Sequence, residues 1–139
     1  MMESTLVLVK PDAFGKGYAG KIVARYEAEG LKLQAMKLMK MTPELAAKHY
    51  AEHVGKPFYP SLVEFMTSGP LVAMVLAGEG AIAKVRELNG ATNPEKAEKG
   101  TIRADFAESM TCNAVHASDS PENAQREIHI FFNESEIFD

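Results

Sequence analysis

Two short runs of almost unbroken apolar residues, 5–9 (TLVLV) and 71–77 (LVAMVLA), constrain this chain more than any other feature. Neither alternates polar with apolar, so a strand formed by either run must be covered on both faces. Such strands belong inside a sheet that carries helices, and the intervening segments supply them. From residue 20 to 29, Ile22, Val23 and Tyr26 fall at helical spacing and Gly30 offers a stop. Thr42-Pro43-Glu44 and Ser120-Pro121-Glu122 each join a hydroxyl that can accept from orphan amides to a proline at the first helical position. The first predicts a helix carrying His49, Tyr50 and His53. The second predicts the last helix, with Ala124, Ile128 and Phe131 on its buried face. Ser61-Leu-Val-Glu64 has capping-box spacing for a helical segment ending near Ser68-Gly69, and Ile82, Val85 and Leu88 form a helical stripe closed by Asn89-Gly90.

Residues 31–41 put Leu31, Leu33, Ala35, Met39 and Met41 on one alternating phase that Lys37 breaks, which favours a strand and leaves a helix open. Lys10-Pro11 ends the first run and passes Lys10 and Asp12 into a loop. Residues 90–104 contain Gly90, Asn93-Pro94 and Gly100 without periodicity and read as a long loop of the functional kind. A short strand is predicted over 111–115. At 139 residues and 46% hydrophobic composition, one domain over 1–139 has enough apolar material for a core. The order β-α-β-(αα)-β-α, then a short strand and a helix, predicts an α+β fold. Its simplest form is the ferredoxin-like βαββαβ arrangement, an antiparallel four-stranded sheet with helices packed on it.

A formal charge of -4 argues against a broad basic surface, so nucleic acid or anionic lipid is not an expected partner. The single Cys112 cannot form an internal disulfide and fits a reducing compartment. The N-terminus lacks a basic leader followed by an apolar stretch, and the apolar runs are far short of the roughly 20 residues that span a bilayer. The expectation is a cytoplasmic location.

Asn113-Ala-Val-His116-Ala-Ser118-Asp119 sets a histidine between a predicted strand and a capped helix, where side chains converge at a sheet edge. Imidazole is largely the free base at neutral pH, and its lone pair can attack phosphorus directly. Glu127, at the edge of the last helix's apolar stripe, needs a partner, and His116 is within reach. A carboxylate on one ring nitrogen would fix the tautomer and steady the positive charge formed as the other bonds to phosphorus. The alternative is that His116 caps a loop while Glu127 pairs with Arg126 or water.

Arg86, Thr92 and Arg103 surround the 90–104 segment and could bind phosphate, since guanidinium groups match phosphate oxygens bidentately; each arginine could instead pair with a surface carboxylate. Lys10 is aimed by a strand end at a fixed place, although a solvated lysine is the ordinary outcome. Phe58, in Gly55-Lys-Pro-Phe-Tyr-Pro60, could stack on a base or simply pack. No Walker or kinase-type glycine loop occurs. Cys112 with His116 as its base is conceivable, but a small buried residue on the same strand explains Cys112 as well. His49, His53 and His129 lack tight metal-ligand spacing.

With Lys10-Pro11-Asp12, Lys56-Pro57-Phe58, Gly90-Ala-Thr-Asn-Pro94 and Gly100-Thr-Ile-Arg103-Ala-Asp105, the His116 segment resembles the nucleoside diphosphate kinase family along essentially the whole chain. The resemblance implies a ferredoxin-like fold and ping-pong transfer of a terminal phosphate from a nucleoside triphosphate to a diphosphate through phosphorylated His116. A noncatalytic nucleotide-binding regulator that kept the pocket is the competing function. Carried over by position, Glu127 and Ser118 support the histidine, Tyr50 lies beside it, and Lys10 with Asn113 holds the sugar hydroxyl end. Arg86, Thr92, Arg103 and His53 contact phosphates, and Phe58 stacks on the base. The resemblance also implies Mg2+ held mainly by nucleotide phosphates rather than by protein ligands, and a homo-oligomer, with a hexamer preferred over a tetramer or dimer. Ala117 stands where many relatives have Gly. The chain ends at Phe138-Asp139 without the longer tail of many eukaryotic relatives, which makes it resemble bacterial members.

Overall fold

The computed structural model describes residues 2–139. The two apolar runs become the central strands, β1 (Met2–Val9) and β3 (Pro70–Glu79), paired antiparallel from Met2 opposite Glu79 to Val9 opposite Val72. The sheet order is β2-β3-β1-β4, with β2 (Lys32–Lys40) and β4 (Val115–Ala117) antiparallel at the edges. This is the expected ferredoxin-like, α+β arrangement.

Helices lie on both faces, which is why the central runs do not alternate. One layer packs Val7, Val9, Met74 and Leu76 against Ile22 and Tyr26 of α2 (Ala19–Ala28) and Val85 of α5 (Ala81–Asn89). The other packs Leu6, Leu8, Ala73 and Val75 against α3 (Pro43–His49), α4 (Tyr59–Met66) and α7 (Pro121–Phe131). β2 serves both layers. Leu33 lies opposite Leu76 and Ala35 opposite Val75, so Gln34 is an extra residue that switches the odd phase from one layer to the other. Lys37, which broke the alternation, stays on the second phase by laying its ammonium 4.8 Å from the Phe132 ring centroid and reaching Glu136.

The caps at Thr42 and Ser120 form as expected: their hydroxyls accept from Leu45 and Asn123 amides at 3.1 Å. Other expectations are corrected. Pro11 starts a short helix, α1 (Pro11–Gly15), rather than a loop. The Ser61 capping box does not form, because α4 begins two residues earlier with Pro60 in its first turn. α3 ends at His49, leaving Tyr50 and His53 to a 3-10 turn. Residues 90–104 are not all loop: Thr101 caps α6 (Ile102–Phe106). No described helix is long and apolar enough to cross a membrane.

In the first layer the Tyr26 hydroxyl donates to Asn89 Oδ1 at 2.5 Å in a fully buried contact, while Asn89 Nδ2 has no partner among the described residues. Tyr26→Phe is therefore expected to lower stability by about 1–3 kcal/mol in urea unfolding, the cost of orphaning a buried acceptor. An unchanged midpoint would contradict the bond.

Candidate active site

The site is built where the edge strand β4 meets α7 and α3. Val115 and Ala117 bury into the first layer, so the intervening His116 faces the second. There α7, fixed at its start by the Ser120 cap, presents Glu127 with a side chain only 7% exposed. Glu127 Oε1 sits 2.9 Å from His116 Nε2 and accepts from Ser118 Oγ at 2.7 Å. The Ser118 hydroxyl is itself oriented, since it accepts from the Leu6 amide. Burial pushes the Glu127 carboxyl up, but the His116 and Ser118 hydrogen bonds together bring it below its ordinary value. An ionised carboxylate only accepts, so Nε2 carries the ring proton and the lone pair of the neutral ring lies on Nδ1. Arg126 also approaches Glu127, at 3.7 Å from the other oxygen, so both partners weighed for this carboxylate are present.

His49 lies behind His116, with ring centroids 4.7 Å apart and planes 83° apart, and Tyr50 packs edge-on against His49. His49 is 4% exposed, and among the described residues neither ring nitrogen has a hydrogen-bond partner. Burial, reinforced by His116, pushes its pKa down to about 3, so it is neutral. Burial and Glu127 push the Tyr50 hydroxyl up.

The segment entering β4 is bent. Ala114 has φ 72°, and Val115 N donates back to Asn113 O at 2.8 Å, a γ-turn in a sparsely populated conformation. Neighbours hold it: Ala114 N donates to Asp12 Oδ2 at 3.1 Å and Lys10 N donates to Ala114 O at 2.8 Å. This turn delays the strand from 111 to Val115, and it leaves Cys112 in the preceding loop, partly exposed rather than buried on the strand. Arg103 clamps the same region by donating to the carbonyls of Gly90, Asn113 and Val115. Gly90 is required there: at φ 85° a Cβ would meet Thr101 Oγ1 at 2.6 Å. Ala117, by contrast, is extended strand that tolerates a methyl group.

An open cleft of about 270 Å³ lies over His116. Lys10, Tyr50, His53, Arg86, Thr92, Arg103, Asn113 and Glu127 line it with the histidine. Lys10 Nζ donates to Asn113 Oδ1 at 2.8 Å, and burial, aided by the Arg103 charge, lowers its pKa to about 8. The arginine donors go to backbone carbonyls rather than surface carboxylates, Arg86 reaching Ala117 O at 3.4 Å. Ser118 is not in the wall but fully buried behind Glu127. Phe58 also stands outside it, half-exposed, with its ring 5.3 Å from that of His53. Glu52 and Asn123 also line the cleft without having been singled out from sequence, beside Asp119 of the His116 motif and Arg126. The three histidines first considered together do not converge: His129 bonds Gln125 and Glu134 on the surface, while His49 joins His116. No local signal reveals that pairing, which depends on how α3 packs on α7 beside β4.

Residues 3–137 match the family model described as nucleoside diphosphate kinase. The chain is 57% identical over 136 residues to the nucleoside diphosphate kinase of Campylobacter fetus, covering 98% of this chain and 99% of that one. It is 57% identical over 135 residues to nucleoside diphosphate kinase 1 of Protochlamydia amoebophila, covering 97% and 96%. Among solved structures, the Aquifex aeolicus nucleoside diphosphate kinase superposes with a TM-score of 0.95 at 50% identity, covering 99% of each chain. A halophilic nucleoside diphosphate kinase from Halobacterium salinarum, in complex with CDP, gives 0.96 at 45% identity, covering 100% of this chain and 93% of that one.

Proposed function

The chain belongs to the nucleoside diphosphate kinase family, enzymes that transfer phosphate between nucleotides, and we propose that it does so in two steps through a phosphohistidine on His116. The observation that carries this reading is the His116 to Glu127 pair: with Nε2 held at 2.9 Å, Nδ1 is the basic nitrogen of a ring that lines a cleft furnished with cations. In the first step Nδ1 attacks the terminal phosphorus of a nucleoside triphosphate. The bond to the bridging oxygen breaks and the diphosphate leaves with its electron pair. The ring keeps its Nε2 proton, and the Glu127 carboxylate steadies the positive charge that appears on it. In the second step a terminal oxygen of another diphosphate attacks the same phosphorus, and Nδ1 recovers its lone pair.

Arg86, Arg103, Thr92 and His53 are assigned to the phosphates, Lys10 and Asn113 to the sugar hydroxyls, and Phe58 to the base face. Tyr50 packs beside the histidine pair, and Ser118 holds Glu127. Three of the Arg103 donors are used on carbonyls, so its part is to supply fixed positive charge and its two remaining N–H groups. Phe58 lies outside a cleft small enough to take mainly the polyphosphate and sugar, which suits a stacking contact indifferent to base identity.

The family uses a divalent cation, which we take to be Mg2+. The carboxylates of Glu52 and Asp119 in the cleft wall are oxygen donors that suit a hard ion shared with nucleotide phosphates. When bound, it would neutralise phosphate charge. We also assign a cytoplasmic location and a homo-oligomer, hexamer preferred. The edge strand β2, which exposes Met36 and Leu38, supports an assembly.

Labelled ATP with Mg2+ should leave one phosphate per chain on His116, stable in alkali and labile in acid. His116→Gln should abolish both adduct and exchange, and retention of more than a few per cent of either would refute the nucleophile. Lys10 is charged below its pKa of about 8 and neutral above it. Affinity of the free enzyme for a nucleoside diphosphate should therefore fall as pH rises through that value, measured by calorimetric titration, and Lys10→Gln should remove the step. A native profile flat through the same range would contradict the assignment.

A further inference from the structure

One imidazole in the site has no part in the transfer reaction. His49 is almost wholly buried, has no hydrogen-bond partner on either nitrogen among the described residues, and lies against the reactive histidine. An orphaned polar ring is uncommon in a packed interior. One donor atom each from His49, His116 and Glu127 lie within 4.8 Å of one another, and all three residues border the open cleft. We propose that these three side chains form an inhibitory site for a borderline transition-metal ion, with Zn2+ the expected occupant of the nucleotide-free protein.

The donor set carries the argument. Two imidazoles and a carboxylate with a fourth position open to solvent is a ligand combination that holds Zn2+ with a water or an anion. The cleft provides that open position. Ligands on one tetrahedral Zn2+ at about 2.0–2.2 Å stand roughly 3.4 Å apart, so binding requires the cluster, now within 4.8 Å, to contract by up to roughly 1.4 Å. His116 and Glu127 are already close at 2.9 Å, so the movement falls on the His49 ring. Arg126 faces the other Glu127 oxygen, so the ion would take Oε1 in exchange for its contact with His116, while the Ser118 hydroxyl goes on donating to that oxygen. Mg2+ does not compete, because it takes oxygen ligands and sheds water reluctantly.

The consequence for catalysis rests on the phosphohistidine reading; the binding itself does not. A neutral imidazole has one ring lone pair. If the metal takes Nε2 the proton moves to Nδ1, and if it takes Nδ1 the nucleophile is occupied directly. In either case His116 cannot attack phosphorus, and inhibition follows metal occupancy.

The test uses the full chain, stripped with EDTA and free of nucleotide. Zn2+ is titrated while the histidine ring 15N and 1H resonances are followed, with Co2+ as an absorption probe. The expected result is that the His49 and His116 rings shift together and saturate at one equivalent, while the His53 and His129 rings do not follow them. His49→Gln and Glu127→Gln, each checked for native circular dichroism, should weaken binding on the order of tenfold or more. Labelled ATP and Mg2+ added afterwards should phosphorylate His116 only in the metal-free fraction, with EDTA restoring the rest. Native His49 and His116 rings that ignore Zn2+, or an affinity unchanged in both variants, would overturn the site and place the ion elsewhere, as on the His129 and Glu134 surface pair. Ring shifts without any phosphohistidine in the metal-free protein would overturn the carrier reading and the inhibition together, while the metal site would stand.

Discussion

A single buried carboxylate organises the chemistry of this chain. Glu127 reaches from α7 across the second layer and shares one oxygen between His116 Nε2 on β4 and the Ser118 hydroxyl just beyond it. Nearly removed from water, the carboxylate must be fully partnered or it would be costly, so α7, β4 and the ring they carry are held in one relative position. The same bond that fixes the ring also chooses its tautomer. Position and reactivity therefore come from one contact, and no separate general base is needed to expose the lone pair.

The rest of the site surrounds this ring with positive charge from Lys10, Arg86 and Arg103. The γ-turn at Ala114 brings Asn113 to Lys10 and starts β4 late, so that His116 falls on the second-layer face. A strained turn persists only when its surroundings over-determine it, and Asp12, the Lys10 amide and Arg103 do so here. Arg103 thus has two roles, binding three carbonyls that shape the loop while leaving its charge at the cleft. Lys10 is costly to keep charged in this setting, which is why its proton is lost more easily than that of a solvated lysine.

Much of this was legible in the sequence because it is local. The apolar runs 5–9 and 71–77 read as doubly covered strands from their own composition, and the Thr42 and Ser120 caps from three residues each. The likeness carried by the motifs around Lys10, Gly90, Arg103 and His116 drew on distant segments, and the fold brings Lys10, Thr92, Arg103, Asn113 and His116 of them to one cleft while leaving Phe58 and Ser118 out of its wall. The Ser61 capping box failed because Pro60, one residue earlier, had already started the helix. The strand expected over 111–115 failed because nothing local reveals that Ala114 will take a positive φ; Asp12 and Lys10, far away in the chain, impose it. The bulge at Gln34 was hidden for a subtler reason, since it changes the layer that the odd residues face without disturbing their alternation. His49 looked like one of several scattered histidines until α3 placed it against His116.

The central claim is that the carboxylate, by holding Nε2, makes Nδ1 the nitrogen that receives phosphate. It is tested most directly by 15N and 31P spectroscopy of the isolated phosphoenzyme with labelled histidine, reading which ring nitrogen couples to phosphorus. Coupling at Nδ1, with Nε2 still protonated, is the predicted result. Phosphate on Nε2, or a ring that carries phosphate only after separating from Glu127, would contradict it.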